Sequence, residues 1–110
     1  MRGAKSLLVV LMSCPTRRQA VTLAKALVAR RLAACVNVIP NCRSWFWWDG
    51  KVQRASEVLL LVKTSQRCFP RLQRLVPTLH PYDVPEILAL PVAQGHPPYV
   101  QWLLDSLSAS

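Results

Sequence analysis

Acidic residues are scarce in this 110-residue chain, in which five Asp and Glu stand against fourteen Lys and Arg for a formal net charge of +9 at pH 7. A surplus of this size can indicate a nucleic acid, an anionic membrane surface or an acidic partner. The basic residues are nevertheless scattered from Arg2 to Arg74, and only Arg67, Arg71 and Arg74 form a stripe at helical spacing. The pattern therefore favours a solvated basic surface, and we expect no nucleic-acid partner.

Several catalytic and metal-binding motifs are missing as well. The four cysteines form no C-x-x-C pair, which excludes a zinc knuckle and a thioredoxin-type site. The three glycines form no phosphate-binding loop. The two histidines, His80 and His96, lie in no hydrolase motif. These absences leave an enzyme with little support, and we expect a non-enzymatic protein.

Long apolar runs are also lacking, and no stretch approaches the ~20 residues that a membrane-spanning helix needs. The segment from Met1 to Cys14 loosely resembles a secretory signal, because a basic start precedes an apolar run. That run, of about six residues, is shorter than the apolar part of a signal peptide and has the length and composition of a strand. We therefore expect the first strand here, no membrane association and a cytoplasmic protein.

The chain does contain a regular succession of strand and helix patterns, with 52% apolar residues. The predicted elements are a strand at 7–12, a helix opened by a Thr16–Gln19 capping box, strands at 36–39, 43–48 and 57–64 around an Asp49-Gly50 turn, a helix from Pro70, a strand at 86–92 and a closing helix on Pro97. Pro77 is expected to end the second helix early. This order predicts a single α+β domain over residues 1–110, a ferredoxin-like βαββαβ sandwich with an extra C-terminal helix.

The aromatic run Trp45-Phe46-Trp47-Trp48 stands at the far end of the predicted hairpin. On a strand, Trp45 and Trp47 face one side while Phe46 and Trp48 face the other. A domain of this size has helices for only one face of its sheet. Because each aromatic side chain buries about 150–250 Å², the aromatic residues on the other face need a cover. A locally thick core and a contact with another subunit both remain open, and the position at the hairpin end favours the subunit contact.

The segment from Leu79 to Glu86 holds an imidazole, a phenol and two carboxylates on one short loop that two prolines keep out of a helix. A polar pocket can be built from this loop and the hairpin, although Glu57 and Lys63 are better explained by a cross-strand or intersubunit ion pair. The candidate residues of an intersubunit cleft are Trp48, Glu57, Lys63, Tyr82 and Glu86.

Soft donor atoms suggest a possible metal site. Met12 and Cys14 are two residues apart at the end of the first strand and can point the same way. His80 can converge on them if the first and fourth strands are neighbours. Thioether, thiol and imidazole donors suit copper, Cu(I) above all. A buried methionine, a half-buried thiol and a histidine that fixes its loop by a backbone hydrogen bond are the structural alternatives.

Three segments in order resemble the CutA family: Arg31-Leu32-Ala33-Ala34-Cys35-Val36-Asn37-Val38-Ile39-Pro40, Trp47-Trp48-Asp49-Gly50-Lys51 and the run from Leu79 to Val92. The resemblance implies small trimeric proteins of ferredoxin-like fold, known for divalent-cation tolerance. In members described with copper, the ligands are a cysteine ending the first strand and two adjacent histidines before Pro-Tyr. Here Met12 and Leu79 stand at two of those positions, and only His80 remains.

Two hypotheses of function follow from the residues and the resemblance together. The first is a non-enzymatic homotrimer of the CutA type, tied to divalent-cation tolerance, with copper as the one possible cofactor. The second is a trimeric small-molecule sensor or protein-interaction scaffold with ligand clefts between its subunits. A nucleic-acid binder, the third class, would show a steep salt dependence of binding that neither of these predicts.

Overall fold

The computed structural model describes residues 3–108 and contains a four-stranded antiparallel sheet with three α-helices. The elements are a 3₁₀ turn at Ala4–Ser6, β1 (Leu7–Cys14), α1 (Arg17–Ala29), β2 (Cys35–Trp48), β3 (Lys51–Ser65), α2 (Phe69–Leu79), β4 (Leu88–Pro91) and α3 (Pro97–Asp105). The predicted α+β class and the order of strands and helices are thereby confirmed. None of the described helices is long and apolar enough to cross a membrane.

The strands are arranged in the order β2-β3-β1-β4, so that the first strand lies in the interior of the sheet. Leu11 of β1 stands opposite Leu61 of β3 on one side and Leu88 of β4 on the other. The β2–β3 hairpin is much longer than the rest of the sheet and turns at Asp49-Gly50, where both residues have positive φ angles of 53° and 70°. Two left-handed residues in succession are what a tight hairpin turn of this kind requires.

The hydrophobic core lies between the sheet and helices α1 and α2. Alternate residues of the two inner strands project into it, and the apolar faces of the helices cover them. The fully buried members of this core include Val10, Met12, Leu60, Val62, Leu23, Leu27, Leu72 and Val76. Burial of one such side chain stabilises the fold by roughly 1.5–3 kcal/mol, so this layer dominates the stability of the domain.

The other side of the sheet, the open face, is also apolar. It consists of the residues that alternate with the core positions: Val9, Leu11, Leu59, Leu61, Leu88 and Leu90. Leu88 is 58% exposed and Leu90 is 48% exposed. Helix α3 approaches this face at its end, where Tyr99 lies beside Lys63. An apolar patch of this kind on a sheet face is typical of an interaction surface.

Five local predictions differ from the structure, and the largest difference is in β3, which is continuous from Lys51 although the sequence predicts this strand from residue 57. Strand β1 continues two residues beyond Met12, and β4 begins at Leu88 rather than at residue 86. Strand β2 is continuous, because a bulge between Ile39 and Cys42 absorbs one extra residue and leaves Asn41 at a φ of 63°. The expected early end of the second helix is wrong, since α2 runs through Pro77.

Pro77 stands in the last turn of α2 and lacks the N–H that would donate to the Gln73 carbonyl, so the helix continues through it at the cost of one hydrogen bond. The backbone N–H of His80 still donates to the Val76 carbonyl at 2.9 Å and closes the turn.

At the start of α1 the predicted cap is present, since Thr16 Oγ1 accepts the Gln19 backbone N–H at 3.2 Å. The Gln19 side chain, however, accepts from the Thr16 hydroxyl at 2.9 Å. The cap is therefore a variant of the predicted reciprocal box.

Candidate functional site

The end of β1 and the loop after α2 meet at Cys14 and His80. Pro15 ends the strand directly after Cys14, and His80 follows the last residue of α2. The Cys14 Sγ lies 3.6 Å from His80 Nε2, although 66 residues separate the two in the chain. Both side chains are buried. The structure therefore brings together the two donors that the sequence singled out at this point.

Both ring nitrogens of His80 are engaged by the backbone. The Tyr82 N–H donates to Nδ1 at 3.1 Å, and Nε2 lies 2.7 Å from the Ser13 carbonyl oxygen. Because Nδ1 accepts a hydrogen bond, the ring N–H is assigned to Nε2, which donates a hydrogen bond to the Ser13 carbonyl oxygen. His80 thus ties its loop to the end of β1. The role of Ser13 was missed at the sequence level, because any residue supplies a backbone carbonyl.

Tyr82 connects the same loop to β3. Its hydroxyl donates a hydrogen bond of 2.9 Å to Glu57 Oε2, and its ring centroid lies 5.0 Å from that of His80. Burial, the hydrogen bond to Glu57 and the charge of that carboxylate raise the pKa of Tyr82 to about 12. The phenol therefore keeps its proton at neutral pH and holds Glu57 in place.

Cys14 is a protonated thiol at neutral pH. Burial, with a smaller contribution from the nearby Glu57 carboxylate, raises the pKa of Cys14 to about 11. A thiol needs the opposite, electropositive surroundings to act as a nucleophile, since the thiolate is the reactive form. The contacts among Cys14, Glu57, His80 and Tyr82 thus hold the loop after α2 against β1 and β3, and they do not form a reactive centre.

The other predicted cleft residues lie away from this cluster within one chain. Lys63 stands six residues from Glu57 along β3, a separation of about 20 Å. Its Nζ lies 3.3 Å from the Tyr99 hydroxyl and 5.7 Å from the centroid of the Tyr99 ring. The Glu57–Lys63 ion pair that we favoured is therefore not formed within a single chain.

Trp48 and Glu86 both face solvent. Trp48 lies at the tip of the hairpin with 62% of its surface exposed. Glu86 is exposed in the loop before β4, and it makes no hydrogen bond or ion pair within residues 3–108. Of the five cleft candidates, the structure thus brings only Glu57 and Tyr82 together in one chain.

Comparison with known proteins identifies the family of the chain. Residues 8–106 match the family model described as CutA1 divalent ion tolerance protein. The chain belongs to the CutA family. The divalent-cation tolerance protein CutA of Thermus thermophilus is 51% identical over 98 residues, which cover 89% of this chain and 95% of that protein. The human Protein CutA is 47% identical over 91 residues, 83% of this chain and 51% of that protein, so the chain spans about half of the human relative.

Solved CutA structures share the fold. The CutA1 structure from Thermus thermophilus superimposes with a TM-score of 0.91 at 49% sequence identity and covers 93% of this chain and 99% of that one. CutA1 from Oryza sativa gives a TM-score of 0.91 at 39% identity, with coverage of 94% and 95%. Our sequence-based assignment to the CutA family is therefore confirmed.

The donors of this CutA chain do not form a complete metal site. Within residues 3–108 there is no group of three or more His, Cys, Asp or Glu side chains that could hold a metal ion. Met12 shares the core side of β1 with Cys14 but is fully buried, and the exposed Leu79 offers no donor. Only Cys14 and His80 are in contact, and each would first have to give up a proton or a backbone hydrogen bond.

Proposed function

We propose that this chain is a non-enzymatic homotrimer of the CutA type that acts in divalent-cation tolerance. The observation that carries the proposal is the open face, whose apolar side chains include Leu88 and Leu90 at about half exposure. Within residues 3–108 no second layer of helices covers this face, and burying it against other copies would remove the exposed apolar area from water. The membership of the CutA family supports the link to divalent-cation tolerance.

Sedimentation equilibrium tests the assembly directly. We expect the wild-type protein at micromolar concentration to sediment with three times the mass of the 12.4 kDa chain. A mass of one chain at that concentration would contradict the trimer.

The absence of catalysis is supported by the chemistry of the buried cluster. Cys14 is protonated, both His80 nitrogens are used by the backbone, and Glu57 is held by Tyr82. A nucleophile and its base need a free lone pair and a depressed thiol pKa, and this cluster offers neither. We therefore assign Cys14 and His80 no catalytic role.

Any copper bound by this chain is proposed to be weakly held Cu(I). Cys14 and His80 supply a sulfur and a nitrogen donor in mutual contact, and sulfur donors select the reduced ion. Met12 is a further soft donor on the same side of β1, although it is buried in the core. With leucine at position 79, a nitrogen-rich Cu(II) site lacks one imidazole.

Copper isotherms on reduced protein test this assignment. Cys14→Ser and His80→Ala should each weaken Cu(I) binding, whereas Cys35→Ser, which changes a thiol on β2, should leave it unchanged. Leu79→His should raise Cu(II) affinity, because it restores the adjacent imidazole pair before Pro81. Tight Cu(II) binding that survives His80→Ala would show that the ligands lie elsewhere.

We also propose that the protein is cytoplasmic and that its signal-like N-terminal run is retained. The Leu7–Cys14 part of that run forms β1, which pairs with both β3 and β4. Met1 and Arg2, the basic start of the run, lie outside the described residues. Cleavage after the run would remove an inner strand of the sheet. Mass spectrometry of the expressed protein should therefore find residues 7–14 present, and a mature chain that begins after Cys14 would contradict the proposal.

A further inference from the structure

A cavity of about 400 Å³ lies on the long hairpin, away from the Cys14–His80 cluster. This hairpin cavity is lined by Arg43, Trp45, Arg54, Ala55 and Ser56. Arg43 stands opposite Ser56 and Trp45 stands opposite Arg54, so two neighbouring cross-strand pairs form its walls. Its volume falls within the range of small-molecule sites, about 300–1,000 Å³.

The hairpin cavity does not lie on the open face, through which the proposed trimer would pack. Along β3, Arg54 and Ser56 alternate in step with the buried Val58, whereas Leu59 and Leu61 point to the open face. The cavity therefore lies on the side of the sheet opposite to the open face. Packing of the open face against other copies does not by itself cover the cavity.

The charges at the cavity favour an anion. Two guanidinium groups line it and no carboxylate does. Within residues 3–108, neither Arg43 nor Arg54 forms an ion pair or a hydrogen bond through its side chain. An arginine binds phosphate oxygens through two parallel N–H donors, which makes it the preferred cation for this group. The Ser56 hydroxyl adds a further donor at the same wall.

The indole of Trp45 favours a planar ligand. It is 66% exposed, and the Arg54 guanidinium carbon lies 5.6 Å from the centroid of its ring. A nucleobase can stack on an exposed indole beside a cation, and because every base has an aromatic face this stacking raises the affinity for any of them. A simple inorganic anion would use the arginines and leave this surface uncovered.

We propose that the hairpin cavity binds a nucleoside phosphate, with the base stacked on Trp45 and the phosphates held by Arg43 and Ser56. Arg54 lies between the two parts and contacts both the ring and the anion. A small ligand fits better than a nucleic-acid strand, because two arginines supply the positive charge of the lining, whereas a strand needs a charged groove that follows its backbone. This binding goes beyond the role in cation tolerance and does not depend on it.

Calorimetric titration with ATP in magnesium-free buffer tests the proposal on the wild-type assembly. We expect saturable binding of ATP and much weaker binding of adenosine or of inorganic triphosphate, each of which satisfies only one half of the site. Trp45→Leu and Arg43→Gln should each lower ATP affinity by about tenfold or more. Arg18→Gln, which removes the same charge from the exposed start of α1, is the matched control and should leave the affinity unchanged.

Three results would overturn the assignment. One is no saturable ATP binding at millimolar concentration. Another is an equal loss of affinity in Arg18→Gln and Arg43→Gln, which would show that the overall charge attracts ATP. The third is tighter binding of a ten-nucleotide single-stranded RNA that is equally sensitive to Trp45→Leu, since the site would then read a polynucleotide.

Discussion

At the scale of single residues, His80 shows how a side chain suited to metal binding can serve the fold. Its approach to Cys14 depends on β1 and β4 being neighbours, a condition that the sequence analysis stated and that the strand order fulfils. A backbone hydrogen bond that fixes the loop was one alternative for His80 in the sequence analysis, but the two partners, the Ser13 carbonyl and the Tyr82 N–H, could not be read from the sequence. They depend on the path of the loop, and backbone donors and acceptors leave no trace in residue identity.

Cys14 should make the protein less stable at alkaline pH. Its pKa is raised from 9.0 to about 11 in the folded chain, so the folded state holds this proton more tightly than the unfolded state does. The contribution of this proton to the free energy of unfolding is complete below pH 9 and is lost as pH rises from 9 towards 11. The free energy of unfolding then falls by at most about 1.4 kcal/mol per pH unit for one proton. Urea unfolding at several pH values measures this slope.

The matched variants for this titration are Cys14→Ser and Cys35→Ser. Cys14→Ser should flatten the decline between pH 9 and 11, whatever its own cost in packing, while Cys35→Ser should keep the wild-type slope. Tyr82, whose pKa is raised from 10.0 to about 12, adds a decline of the same sign from pH 10 towards 12 in all three proteins, so the effect of Cys14 is the difference between their slopes. An unchanged slope in Cys14→Ser would show that the thiol does not titrate in this window.

At the scale of elements, patterns that repeat were predictable and local irregularities were not. The Asp49-Gly50 turn and helix α1 were both predicted correctly, the turn from a dipeptide that adopts positive φ angles and the helix from its capping box and its periodicity. The bulge around Asn41 was not, because a single left-handed residue within a strand has no periodic signature. The continuation of α2 through Pro77 was not predictable either, because a helix can continue through a proline at the cost of one hydrogen bond when the rest of the helix packs well.

Pro77→Ala should stabilise the protein. Alanine restores a backbone N–H in the last turn of α2 and has a far higher helix propensity, although it also gives the unfolded chain more freedom. We expect a net gain of about 1–2 kcal/mol in the free energy of unfolding, measured by urea denaturation. Pro70→Ala, at the start of the same helix where proline is favoured, should show no such gain. Equal effects of both substitutions would contradict this explanation.

Trp48→Ala tests whether the hairpin contacts another subunit. Trp48 is 62% exposed in the single chain and lies on the side of the hairpin that continues the open face, opposite to that of Trp47. If neighbouring copies bury it, its truncation should cost about 3–5 kcal/mol and shift the assembly towards monomer. Trp47→Ala, at 74% exposure on the opposite side, is the control and should have a smaller effect. A Trp48→Ala protein that melts at a lower temperature yet remains trimeric would place this indole in a contact within its own chain.

At the scale of the whole molecule, the chain is a single sheet with a helical layer on one side and a long arm. Its extents of 45 × 25 × 22 Å reflect the projecting β2–β3 hairpin. Element order was enough to predict this architecture, since each half of the chain forms a strand–helix–strand unit of familiar type. The separation of Glu57 and Lys63 could be read from the sequence, since both lie on the strand predicted at 57–64. The contact of Lys63 with Tyr99 could not, because it depends on how α3 packs against the sheet.

Leu88→Lys should dissociate the proposed trimer without unfolding the single chain. Leu88 is 58% exposed on β4, so a lysine there stays hydrated in a monomer. In an assembly that buries the open face, the same lysine would lose its water without a partner charge, which costs more than the leucine contact it replaces. Val28→Lys is the matched control, because Val28 is 42% exposed on α1, away from the open face. Sedimentation equilibrium at micromolar concentration should find Leu88→Lys monomeric and Val28→Lys trimeric. A trimer that survives Leu88→Lys would show that the copies associate through another surface.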